Sequence, residues 1–154
     1  METLSIQAKI RIVKPASEVY EAIVEPKKMS NYFISSGSAR MEDNSTVIWK
    51  FPEFDSEIPV SVNTVKPDQY VSFSWDAGDH PHRVEIFLEE DGNAATVVTV
   101  TEKEEPNNDA GIKWLKENTE GWANFLACLK AYLEYGINLR KGAFDFMRTK
   151  VQDQ

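Results

Sequence analysis

Residues 3–13, TLSIQAKIRIV, alternate apolar and polar positions. Leu4, Ile6, Ala8, Ile10 and Ile12 fall on one face, and Gln7, Lys9 and Arg11 on the other. Period two predicts a half-buried strand. Pro15 ends it and opens a short helix, PASEVYEAI, with Val19, Tyr20 and Ile23 on one side. Pro26 opens a second, PKKMSNYF, whose apolar side is Met29, Tyr32 and Phe33. Helices this short are marginal alone and need a sheet to lie on.

Strand-length segments follow, separated by turn signals. Residues 35–42 are weak, and Asp43-Asn44 reads as a turn. Thr46–Phe51 places Val47, Trp49 and Phe51 together; Glu57–Val65 does the same for Ile58, Val60, Val62 and Thr64. Pro67-Asp68 turns the chain into Tyr70–Trp75, with Val71, Phe73 and Trp75 on one face. A loop is expected from Asp76 to Pro81. His82–Glu90 then carries Val84, Ile86 and Leu88 to a hairpin turn at Asp91-Gly92-Asn93. Ala94–Lys103 closes the series, with Val98 and Val100 in phase with Glu102.

The period changes after Pro106. A break at Asn107-Asn108-Asp109 supplies a helix N-cap candidate. Ile112, Leu115, Thr119, Trp122, Leu126, Leu129 and Leu133 then recur every three or four residues. They form one stripe of a helix of roughly 25 residues, about 38 Å long. Gly136 is the natural C-cap. The tail from Asn138 is polar apart from Phe144, Phe146 and Met147, and reads as a short extra helix or a frayed end. Local connections make the sheet antiparallel, and one long stripe must cover it. The expected fold is α+β: residues 1–142 form one domain and 143–154 a tail.

Bulk properties narrow the partners. The chain has 154 residues, enough to bury a core, and its 42% apolar and 27% charged residues are those of a folded domain. No apolar run is long enough to span a membrane, and the N-terminus lacks the pattern of a signal peptide. A net charge of −8 disfavours nucleic acid and anionic membranes. One cysteine, Cys128, fits a reducing cytoplasm and reads as a buried structural thiol. His80, His82 and Cys128 show no zinc-ligand spacing along the chain.

Four segments carry a resemblance. They are Pro15-Ala-Ser-Glu-Val-Tyr-Glu-Ala-Ile23, Val71-Ser-Phe-Ser-Trp75, Ala95-Thr-Val-Val-Thr-Val-Thr-Glu102, and Gly121-Trp122 leading into Leu126, Leu129-Lys130, Leu133-Glu134 and Gly136. With the element order, they resemble the START-like (SRPBCC) superfamily. The glycine–tryptophan pair looks like the branch named for the activator of the ninety-kilodalton heat-shock protein ATPase. Where that branch usually places a tryptophan, Tyr32-Phe33 stand here. The resemblance implies a helix-grip fold: a curved sheet, two short helices after the first strand, one long C-terminal helix, and an apolar pocket between sheet and helix. Superfamily members include lipid carriers, hormone receptors, polyketide cyclases and co-chaperone domains, so function has to be argued from the site.

The pocket candidates are Trp49, Phe51, Val60, Phe73, Trp75, Val100, Glu102, Trp122 and Leu126. Aromatics in such a set either pack a core or border a ligand. Glu102 either reaches solvent at its strand end or turns inward, where it needs a partner. His80 and His82, beside Asp79, read as surface-loop residues; Glu89-Glu90-Asp91 and Glu102 to Glu105 read as solvated edges. No nucleophile elbow or phosphate loop occurs. The expected function is binding of a small apolar ligand, by a monomer or homodimer, with no cofactor, metal or catalytic residue assigned. The alternatives are a protein-interaction module of co-chaperone type and a cyclase- or hydrolase-like enzyme with a pocket carboxylate.

Overall fold

The computed structural model describes residues 2–76 and 80–152. The element order matches the periodicity. Strand β1 (Thr3–Ile12) leads into helices α1 (Ala16–Val24) and α2 (Pro26–Met29). Strands β2 (Ser36–Gly37), β3 (Thr46–Lys50), β4 (Glu57–Lys66), β5 (Tyr70–Asp76), β6 (Pro81–Glu90) and β7 (Thr96–Pro106) follow. Helices α3 (Asp109–Tyr135) and α4 (Asp145–Gln152) complete the chain. Of the loop expected after Trp75, residues 77–79, Asp79 among them, lie outside the described residues, as do residues 153–154.

The sheet runs β1-β7-β6-β5-β4-β3-β2, with every pair antiparallel. Hairpins join neighbours from β2 to β7, and β1 closes on β7 after the chain has gone round. Two register shifts interrupt the ladders, one between Val62 and Thr64 and one opposite Leu4 and Ser5. Bulges of this kind bend a strand and raise its local twist. The sheet is therefore curved, and α3 lies in its concave face: a helix-grip α+β fold.

The caps explain where α3 begins and ends. The Asn108 side chain accepts from the Gly111 N–H, satisfying one of the free donors of the first turn. Gly136 adopts φ 67°, a left-handed conformation open to glycine at little cost, and its N–H closes the last turn. Between the caps Trp122, Leu126 and Leu129 are buried as the stripe requires, joined by Phe125 and Cys128. The stripe weakens toward its start, where Ile112 is 39% exposed. The short helices depend on the sheet, as their length predicts: Val19, Ile23, Met29 and Tyr32 are all buried, and the Tyr32 hydroxyl donates to the Ala22 carbonyl at 2.8 Å.

Leu129 is fully buried between α3 and the sheet. Leu129→Ala is expected to destabilise the protein by roughly 2–5 kcal/mol in urea unfolding. A loss under about 0.5 kcal/mol is what a surface position would give.

Candidate functional site

Glu102 is the centre of the site. It stands on β7 in phase with Val98 and Val100, points inward, and has no exposed surface. A carboxylate in that position must be hydrogen-bonded. Four side chains from three other elements supply the donors. From α3, Trp122 Nε1 donates at 2.7 Å and Asn118 Nδ2 at 3.3 Å to each oxygen. His82 Nδ1 on β6 stands at 2.8 Å, and Trp75 Nε1 on β5 donates at 3.4 Å. A carboxylate's oxygens accept several such bonds, so one side chain fastens three strands to the helix.

The indole rings that donate to Glu102 form the wall of a cavity of about 650 Å³. Trp75 and Trp122 lie 5.5 Å apart, centroid to centroid. Phe33 and Phe125 continue the wall, 4.7 Å apart and nearly perpendicular. The other side comes from Phe51, expected at the end of a strand but one residue past β3, from the loop that follows it, and from the tail. Phe51, Glu53 and Phe54 belong to the loop after β3, and Arg140, Phe144, Phe146 and Met147 to the tail. Arg140 holds the two together, with its guanidinium donating to both oxygens of Glu53 at 3.0 and 2.8 Å. It also stacks over Phe51 and Phe144, at 5.6 and 4.9 Å. The pair is well buried, with side-chain exposures of 14% and 3%. Arg148 donates to the Pro52 carbonyl, a second tie. The exposed Phe54 and Phe146 form a rim open to solvent.

Gly121 leaves the helix side of the cavity's mouth uncrowded. It sits in the middle of α3, where glycine costs about 1 kcal/mol relative to alanine. It lines the cavity, and a Cβ built on it meets no atom within 4 Å. Cys128 also faces the cavity, and burial pushes its thiol above the ordinary cysteine range.

The candidates read from sequence divide into three groups. Phe51, Trp75 and Trp122 border the cavity. Trp49, Val60, Phe73, Val100 and Leu126 are buried in the core and do not border it. Glu102 lies behind the wall, its oxygens occupied by the wall's own N–H groups. The surface reading of His82 is corrected: it lies on β6 and is fully buried, whereas His80 is exposed. Its phase with Val84 and Ile86 is the signal that places it inward. The Glu53–Arg140 pair has no comparable signal, because 87 residues separate its members.

A curved antiparallel sheet gripping a long helix, with an aromatic cavity between them, defines a helix-grip protein of the START-like superfamily. The chain belongs to the family described as "Activator of Hsp90 ATPase homolog 1-like protein", which it matches over residues 14–134. Protein SSP2350 from Staphylococcus saprophyticus is 35% identical, with 89% of this chain and 96% of that one aligned at a TM-score of 0.79. The Aha1 dimer from Colwellia psychrerythraea is 22% identical, covering 86% and 98% of the two chains at 0.73. CalU16 from Micromonospora echinospora is 18% identical, covering 97% and 86% at 0.69. At those lower identities the likeness is one of fold. No protein with curated function matches the sequence. Among the described residues, no helix is long and apolar enough to cross a membrane.

Replacing Glu102 with leucine strands four donors, of which those of His82 and Trp122 are buried and those of Trp75 and Asn118 half-buried. The expected loss is roughly 3–5 kcal/mol of unfolding free energy, read by urea titration of tryptophan emission. A loss below about 1 kcal/mol would mean that water replaces the carboxylate without cost.

Proposed function

We propose that the chain binds a small, uncharged, largely aromatic or polycyclic molecule in the cavity between α3, the 51–54 loop and the tail. The observation that carries this reading is the aromatic lining of the cavity, where Phe33, Phe51, Trp75, Trp122 and Phe125 converge. Gly121, exposed on the helix side of the cavity, places no side chain across its mouth. The volume falls in the range of pockets for drug-sized ligands, about 300–1,000 Å³. Its walls are mainly aromatic faces, which suit flat rings.

Charge narrows the ligand class. Glu117 and Glu120 stand on the cavity's helix side, while Arg140 is occupied by Glu53. Lys113 reaches Glu117 only across exposed surface, at 3.9 Å, where solvent screens the pair. A fatty-acid anion would therefore meet an acidic rim without a free cation among the cavity residues described. A neutral ligand meets no such penalty.

The enzyme alternative draws less support. Glu102 is turned from the cavity, and its hydrogen-bonding capacity is spent on the scaffold. The interaction-module alternative needs only an outer surface and leaves both the cavity and Gly121 without a role. A cytoplasmic location fits the single thiol of Cys128.

The neutral fluorophore N-phenyl-1-naphthylamine is expected to bind with micromolar-order affinity, about −8 kcal/mol, and to quench tryptophan emission. Gly121→Leu adds a side chain at the cavity's mouth from a position without steric conflict. It should keep or raise stability while weakening the probe at least tenfold, about 1.4 kcal/mol. Equal affinity in both proteins would place the probe elsewhere and remove the basis for the proposal.

A further inference from the structure

The face of His82 turned from Glu102 carries a second feature. Glu102 accepts, so His82 Nδ1 is the nitrogen that donates, which leaves Nε2 with a lone pair. His82 Nε2 is completely buried and has no hydrogen-bond partner. The nearest acidic oxygen, Glu105 Oε1, is 3.6 Å away. That is too long for a hydrogen bond, so a proton on Nε2 would be unpaired, and without a proton two acceptors face each other. Neither state is satisfied by the protein alone.

A third donor stands beside them. His80 Nε2 is 3.4 Å from Glu105 Oε2 and 3.2 Å from the Glu104 carbonyl. One ligand atom from each of His80, His82 and Glu105 lies within 4.8 Å of the others. Two nitrogen or oxygen ligands of a tetrahedral zinc ion, each about 2.0–2.1 Å from the metal, are themselves about 3.3–3.4 Å apart. His80 stands 3.4 Å from Glu105 Oε2 and His82 3.6 Å from Oε1, so the carboxylate reaches toward both imidazoles at close to that spacing, one oxygen to each. His80, 46% exposed, has the freedom to close the remaining distance.

The strand geometry brings Glu105 to this position. Glu102 and Glu105 differ by an odd number, so a regular strand would send them to opposite faces. On β1, Leu4 pairs with Glu105 and the next residue, Ser5, with Lys103, so Glu104 is the extra residue of a bulge. The bulge reverses the phase and returns the half-buried Glu105 to the face of Glu102 and His82. Trp114 covers the imidazole from α3, its ring 4.9 Å from that of His82.

The geometry points to a divalent transition-metal site of zinc type at the β6–β7 end of the sheet, with His80 Nε2, His82 Nε2 and a Glu105 oxygen as ligands and Glu102 orienting His82 from behind. Imidazole and carboxylate suit a borderline cation such as zinc. A carboxylate behind a ligating histidine, fixing its tautomer and raising its basicity, is the usual support for such a ligand. Three protein ligands leave a fourth position for solvent, on the exposed side of His80. The site is separate from the apolar cavity, since none of its three ligands lines that space.

The test uses the full untagged chain, freed of metal with a chelator and titrated with zinc chloride in a calorimeter. Cobalt(II) chloride serves as a second probe, because its visible absorption reports coordination geometry. One equivalent of zinc is expected to bind with micromolar or tighter affinity, and cobalt to give the intense band of a four-coordinate ion. His80→Ala and Glu105→Gln, both outside the buried core, should retain wild-type circular dichroism. Each should lose at least about tenfold in zinc affinity. Binding no tighter than millimolar, or zinc affinity unchanged in both variants, would overturn the site. In the latter case the metal would be held by other acidic groups.

Discussion

One buried carboxylate governs this structure. Burying Glu102 without partners would cost several kcal/mol, so the fold has to bring donors to it from wherever the chain can supply them. They come from β5, β6 and α3. Satisfying the charge thereby fixes the height of the helix over the sheet and the orientation of two indoles and one imidazole. Apolar packing is tolerant of small slides and rotations. A five-bond polar cluster around a buried carboxylate is not, because a shift of one partner strands the rest.

The same cluster faces two ways. On one side its tryptophans turn their N–H edges toward Glu102 and present ring surface to the cavity, so the wall is apolar although it is made of polar-tipped residues. On the other side it holds His82 with Nε2 directed toward Glu105 and without a hydrogen-bond partner. The cavity's far wall is built differently. The tail is fastened by one buried ion pair, the stacking of Arg140 on Phe51 and Phe144, and the exposed hydrogen bond from Arg148 to the Pro52 carbonyl. Those contacts are fewer than those holding α3, so the tail is the part of the wall with least to lose on opening.

How far the sequence reveals this depends on range. Alternation locates β1 and β3 to β7, and the three-four spacing locates α3 between Asn108 and Gly136, because each signal lies within one element. The inward phase of Glu102 is legible beside Val98 and Val100, but its partners are not: Trp75, His82 and Asn118 are brought to it by pairing and helix docking. Inward phase alone cannot separate a core residue from a wall residue. Trp49, Val60, Phe73, Val100 and Leu126 share an inward position with Trp75, yet are packed into the core and do not border the cavity. The cavity lies instead toward the 51–54 loop and the tail, where only Phe51 has a period to read. The bulge at Glu104 leaves no compositional trace, so the gathering of His80, His82 and Glu105 is visible only in three dimensions.

The central claim is that Glu102 locks the helix to the sheet through the indoles of Trp75 and Trp122. Hydrogen exchange at the tryptophan Nε1 positions, followed by nitrogen-edited NMR, tests it most directly. A locked cluster requires the Trp122 and Trp75 indole protons to exchange only through global unfolding, at a rate that tracks the stability measured by denaturant. It also requires both resonances to move together when Glu102 becomes glutamine. Exchange of the Trp122 indole proton at the rate of a solvent-exposed group, with no response to that substitution, would contradict the account.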